Sequence, residues 1–186
     1  HGYLQIRRGC SGIRENKMSM LNVTIDNVKV QVEAGTTILD AAKQAGIKIP
    51  TLCYSGEIDH KPGACRVCVC EVEGARSLVA SCVYPVNEGM VVKTNTERVR
   101  KARKLNVELL LANHPTECNL CVRSGNCELQ KVAEQVGLRE VRFPYPEFKR
   151  EECLDTSSPS IVRDTSKCIK CYRCVTVCEN IQTVNA

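Results

Sequence analysis

Eleven cysteines and one histidine in this 186-residue chain fall into three groups at ligand spacing. Cys53, Cys65, Cys68 and Cys82 follow C-x11-C-x2-C-x13-C. Three of these thiols come from one loop and the fourth from a later strand. That suits a [2Fe–2S] cluster, whose two irons each need two thiolates. Gly63 and Ala64 fit a loop whose backbone must approach inorganic sulfide and donate N–H bonds to it. His114, Cys118, Cys121 and Cys127 follow H-x3-C-x2-C-x5-C. Three thiolates and an imidazole can hold a [4Fe–4S] cube, with the neutral imidazole changing the cluster charge and hence its potential. Zinc competes at both places, because four Cys, or three Cys and one His, also make a tetrahedral zinc site.

The third group, Cys168, Cys171, Cys174 and Cys178, follows C-x2-C-x2-C-x3-C, the run of bacterial ferredoxins. Glu179 stands where a proline usually follows. In two-cluster ferredoxins the fourth cysteine ligates the other cluster, so a second run is expected beyond Ala186. Cys168, Cys171 and Cys174 would then hold the near [4Fe–4S] cluster, and Cys178 one whose other ligands are missing; zinc competes here too. Of the 14 cysteines, Cys10, Cys70 and Cys153 remain. Cys70 reads as a small core residue, with an alternate ligand as the other reading, and Cys153 as a stray thiol. His60, inside the first loop, reads as a loop residue rather than a ligand.

The elements that must position these groups are partly legible. Leu21 to Glu33 alternates in hydrophobicity around Asp26-Asn27, which predicts a β-hairpin. Thr37-x-x-Asp40 predicts a helix N-terminus, with Gly46 closing the helix after Ala45. Ile47 to Thr51 is extended, and strands are expected over Val67 to Val72, Ser77 to Val83 and Met90 to Lys93. Together these predict a small α+β fold with a mixed sheet. Thr94-x-x-Glu97 predicts a long helix ending near Ala112, with Val99, Ala102, Leu105, Leu109 and Leu110 on its apolar side and Arg98, Arg100, Lys101, Arg103 and Lys104 opposite. That basic face is a solvated surface or a steering surface for an acidic redox partner. A further helix is expected over Glu128 to Val136, stopped by Gly137, and an edge strand over Ile161 to Asp164.

Composition removes several classes. Hydrophobic residues are 43% and charged residues 25%, which is a folded composition. No apolar run is long enough to span a membrane. Aromatics are 4% with no Trp, and the net charge is +5, so base-stacking nucleic-acid binding is not expected. No P-loop, G-x-G-x-x-G or Ser-His-Asp pattern is present. Residues 1–19 read as a leader or an added stretch, since the chain begins at His1 with Met18 and Met20 just before the first patterned segment. Without an export signal the expected compartment is the cytoplasm, where thiols stay reduced and metal ligation is favoured over disulfides.

The order of the three groups resembles the N-terminal part of complex-I-type large subunits, of [FeFe]-hydrogenase catalytic subunits and of some NAD-linked formate dehydrogenase subunits. His114-Pro115-x-x-Cys118-x-x-Cys121 and Cys127-Glu128-Leu129-Gln130 look like that family's mixed His and Cys segment. Asp164 through Cys178-Glu179-Asn180-Ile181-Gln182 looks most like the hydrogenase version. The resemblance implies a β-grasp [2Fe–2S] ferredoxin domain over 20–96 and a small helical domain with the His-ligated [4Fe–4S] site over 97–146. A linker over 147–160 and the start of a [4Fe–4S] ferredoxin domain over 161–186 would follow. It implies an electron relay in a hetero-oligomer with a flavoprotein NAD(H)-binding subunit, a thioredoxin-like [2Fe–2S] subunit and ferredoxin. No catalytic residue is expected within these positions. The reading from another class is a zinc-stabilised interaction module.

Overall fold

The computed structural model describes residues 19–143 and 154–184; Cys10, Cys153 and most of the expected leader and linker lie outside them. Strands β1 (Met20–Ile25) and β2 (Val28–Glu33) form the expected hairpin, with Met20 opposite Glu33 and Ile25 opposite Val28. Asp26 and Asn27 both take positive φ, at 46° and 71°, which matches the right-handed twist of the strands they join. Helix α1 (Ile38–Gln44) starts where Thr37 Oγ1 accepts from the Asp40 N–H. Three further strands, β3 (Val69–Val72), β4 (Val79–Ala80) and β5 (Val91–Lys93), complete a five-stranded sheet of order β2-β1-β5-β3-β4. β5 runs parallel to β1 and antiparallel to β3, so the sheet is mixed. Ile38, Leu39, Ala41 and Ala42 of α1 pack on Val23, Ile25, Val32 and Val92 to make the first core.

Helix α2 (Glu97–Ala112) lies against β3, and α3 (Glu128–Gln135) packs on α2. Their contact with the first-group loop makes a second core of Leu52, Cys53, Cys65, Val67, Val107, Leu129 and Val132. Two expectations for α2 need correcting. Its cap is Thr96, whose Oγ1 accepts from the Val99 N–H, because Thr94 gives both its N–H and its hydroxyl to the Asp26 carboxylate. Its buried face is Val99, Arg103, Val107, Glu108 and Ala112, whereas Leu105 and Leu109 are exposed. Long-range partners for the two charged residues outweigh the local hydrophobic period.

Glu108 is fully buried and accepts from the Arg142 N–H at 2.8 Å, Nε at 2.8 Å and Nη2 at 2.6 Å. These hydrogen bonds with Arg142 hold its carboxyl down at about 2, below the ordinary 4.5. A depressed folded-state value stabilises the fold above pH 4.5, and that contribution disappears as pH falls toward about 2. Denaturant midpoints of the wild type and Glu108→Gln should therefore differ at neutral pH and converge through that window. A constant offset across the window would contradict the account.

Further along the chain, β6 (Leu154–Asp155) pairs with β7 (Arg163–Asp164), the latter inside the expected edge strand. A short helix α4 (Arg173–Thr176) runs into a π-helical turn over Val177–Ile181.

Candidate metal centres

Cys53, Cys65, Cys68 and Cys82 are all buried, at the seam between the two cores: Cys68 and Cys82 belong to the sheet core, Cys53 and Cys65 to the helical one. The first turn of α1 fixes the Cys82 segment, since the Leu39 N–H donates to Ser81 O and the Ile38 N–H to Tyr84 O, each at 3.0 Å. The loop turns at Gly63 and Arg66, whose φ values are 61° and 55°. Asn106 Nδ2 of α2 holds the strained Arg66 by donating to its carbonyl at 2.7 Å. Gly63 cannot carry a side chain freely, because a Cβ there would add left-handed strain to contact at 3.4 Å with both Val83 methyls.

The four thiols associate as two pairs. The hydrogen bond from Cys53 pulls Cys65 down to about 5 and pushes Cys53 itself up. The hydrogen bond from Cys82 pulls Cys68 down to about 6 and pushes Cys82 up. Cys82 also feels the charges of Cys53 and Cys65, so the pairs are neighbours. The backbone N–H groups of Val67, Cys53 and Leu52 favour the Cys65 thiolate, and the Cys82 N–H favours that of Cys68. Ser81 Oγ is buried beside Cys68, and its hydroxyl favours the Cys68 thiolate. Two hydrogen-bonded thiol pairs in a fringe of donors fit a group with two cationic centres, each taking two thiolates. Among the described residues no three His, Cys, Asp or Glu side chains gather closely enough for a single metal ion, in any of the three groups.

Cys70 sits fully buried on β3 in the sheet core, where its thiol points at Val79 O at 3.8 Å. Burial pushes it up to about 12, so it remains a protonated thiol.

His114 follows the C-terminus of α2, Cys118 opens a 3₁₀ turn (Cys118–Leu120), and Cys127 is the N-cap of α3. This order strings the second group along the loop between two packed helices. Cys127 touches the second core, while Cys118 and Cys121 are half-buried. His114 Nδ1 is buried with no hydrogen-bond partner. Burial and then Lys167 push its pKa down, against Asp164. A neutral imidazole with a buried orphan nitrogen fits a metal ligand.

The third group winds through two left-handed residues, Lys170 at φ 53° and Tyr172 at φ 62°, and the Lys170 N–H donates to Cys168 Sγ at 3.4 Å. Cys168 and Cys174 are exposed; Cys171 and Cys178 are half-buried. Sequence reasoning missed how this segment is held. His60 is buried and bonds both ways, Nε2 donating to Cys171 O at 2.7 Å and Nδ1 accepting from Thr176 Oγ1 at 2.6 Å. The carbonyl can only accept, which fixes those roles. Arg173 donates Nη2 to Leu52 O at 2.7 Å and Tyr54 O at 3.2 Å, and Nε to Cys53 O at 3.3 Å. Its Nη1 lies 2.9 Å from Glu128, next to Cys127. One guanidinium of the third group therefore bonds the backbone of the first and a carboxylate beside the second. Only the partners, 45 to 121 residues away, could have revealed this.

The family described as 2Fe-2S iron-sulfur cluster binding domain matches residues 18–97, and the NADH-ubiquinone oxidoreductase-G iron-sulfur binding region matches 103–142. The chain is 51% identical over 170 residues to the NADP-reducing hydrogenase subunit HndD of Solidesulfovibrio fructosivorans, covering 89% of this chain and 29% of that one. It is 41% identical over 162 residues to the G 2 subunit of NADH-quinone oxidoreductase from Rhizobium meliloti (strain 1021), covering 87% and 19%. It thus spans less than a third of the length of these relatives. A crystal structure of an NAD+-reducing [NiFe]-hydrogenase in the H2-reduced state superposes with TM-score 0.76 at 33% identity, covering 86% of this chain and 66% of that one.

Proposed function

Because the chain belongs to the iron–sulfur electron-transfer family that includes G subunits of NADH-quinone oxidoreductase and NAD(P)-reducing hydrogenase subunits, we propose that it relays single electrons toward a hydrogenase catalytic cluster outside these residues. The electrons come from, or return to, an NAD(H)-flavin subunit or a ferredoxin. The clusters, when bound, supply one-electron uptake and release. Cys53, Cys65, Cys68 and Cys82 hold a [2Fe–2S] cluster in a β-grasp domain. His114, Cys118, Cys121 and Cys127 hold a [4Fe–4S] cluster. Cys168, Cys171, Cys174 and Cys178 contribute to at least one more. The residues' own work is to fix these groups, dry them and surround the sulfurs with N–H donors that set potential. His60 and Arg173 keep the third group against the first. A thioredoxin-like [2Fe–2S] subunit and a cytoplasmic location complete the reading. Among the described residues no helix is long and apolar enough to cross a membrane.

The observation that carries the hydrogenase assignment is the 51% identity to a hydrogenase subunit over 89% of the chain, against 41% for the quinone-reductase subunit. The native complex should take up hydrogen with a dye acceptor, and pyridine nucleotide should be reduced in step. NADH oxidation with quinone reduction but no hydrogen uptake would establish the complex-I-type reading instead. A colourless, folded, zinc-loaded chain would overturn the relay altogether.

A further inference from the structure

Arg103 occupies the middle of the buried stripe of α2, one turn after Val99 and one turn before Val107. It is only 7% exposed. The guanidinium spends one hydrogen bond, Nη2 to Val69 O at 2.7 Å, on the Val69–Cys70 peptide, one residue past Cys68. Its Nε is buried with no hydrogen-bond partner among the described residues. Among the described residues no carboxylate pairs with it. The acidic groups whose fields reach it are Cys70, Cys68 and Asp26. The Cys70 thiol donates to Val79 O on the sheet-core side. The Asp26 carboxylate is already held by the Thr94 N–H and hydroxyl. A buried, unpaired cation is costly, and a hydrophobic residue of similar size would serve the helix packing better. What remains to balance the charge is sulfur at Cys68.

We propose that Arg103 is the buried counter-charge of the first centre and raises its reduction potential. The proposal rests on the reading that Cys53, Cys65, Cys68 and Cys82 hold a [2Fe–2S] cluster. Four thiolates, two sulfides and two ferric irons make a dianion, and one added electron makes it a trianion. The electron comes from the redox partner; no bond forms or breaks, and the guanidinium keeps its proton. A fixed positive charge in a dry seam favours the trianion more than the dianion, because attraction scales with the product of charges and is weakly screened there. Arg103 is thus a positioning residue: it touches the Val69 peptide, not an inferred ligand sulfur, and acts on the centre through its field.

The test uses the full-length polypeptide, with the midpoint of the [2Fe–2S] centre followed by the paramagnetic signal of its reduced form. Wild type is compared with Arg103→Lys, Arg103→Gln and Arg103→Met. The neutral variants should accept an electron about tenfold less readily, equivalent to about 59 mV for a one-electron couple. Arg103→Lys should recover most of that shift. Asp26→Asn, which keeps the shape while removing the opposing charge, should move the midpoint upward. If neither neutral variant assembles the centre while Arg103→Lys does, the charge is required for assembly, which also supports the role. Unchanged midpoints in the neutral variants would overturn it, as would loss of the centre in all three, which would leave only the hydrogen bond to Val69. The underlying ligand reading is judged separately. A wild-type chain with no reducible two-iron signal, or one whose signal Cys68→Ser leaves untouched, would refute that reading whatever Arg103 does.

Discussion

A Cys82→Ala chain is expected to lose the iron and acid-labile sulfide of one [2Fe–2S] cluster, with the other iron–sulfur content retained. The size of the effect follows from the pairing. Cys82 is hydrogen-bonded to Cys68 as Cys53 is to Cys65, and on the proposed reading each pair supplies the two thiolates of one iron. On the proposed ligation alanine would leave one iron a thiolate short, in a buried seam where, among the described residues, the remaining nearby thiol, Cys70, faces Val79 O. Cys70→Ala is the informative comparison. It removes a buried thiol only two residues from Cys68, yet that thiol faces the sheet core and Val79 O. The loss there should be about 1 kcal/mol of stability, comparable to deleting one core methyl group, with the cluster intact. Iron and sulfide assays beside a denaturation curve separate the two. Cluster loss in Cys70→Ala together with retention in Cys82→Ala would invert the ligand assignment.

The second large effect is expected at Arg173. An Arg173→Met chain loses the donors to Leu52 O, Cys53 O and Tyr54 O and the ion pair with Glu128. Leu52 and Cys53 are buried, so their carbonyls would be left without a donor, at a cost of about 1–3 kcal/mol each. Amide exchange over residues 168–181 should accelerate on the order of 100-fold, the equivalent of one or two such losses. The β1–β2 amides, outside this contact, should be unaffected. Electron passage between the first and third groups should slow in parallel, because the contact that sets their separation is gone. Equal exchange in both chains would mean that His60 alone docks the segment.

The hairpin and the start of α1 could be read in the sequence because their causes are local. Asp26-Asn27 accepts positive φ, and Thr37 meets its own Asp40. The cysteine spacings are likewise local signals, and the first group gathers at one seam. The phase of α2 was not. Leu105 and Leu109 look like core residues until Arg103 finds Val69 O and Glu108 finds Arg142, 34 residues away in each case. The same holds for Thr94, claimed by Asp26 from 68 residues away. His60 looked like an ordinary loop residue because its partners, Cys171 and Thr176, lie more than 100 residues on. Charge and polarity were misread wherever the compensating group is distant in the chain.

The grip of Arg173 on the 52–54 backbone bears on anyone wishing to transplant the proposed wiring into a different protein. Three ligand groups in a row invite cutting the gene between them and mixing the pieces. The folded chain does not divide that way: a piece ending before residue 173 carries bare carbonyls at Leu52, Cys53 and Tyr54 and an idle His60. A cassette that takes the first group must take α4 with it, or supply a guanidinium and a carbonyl of its own in their place.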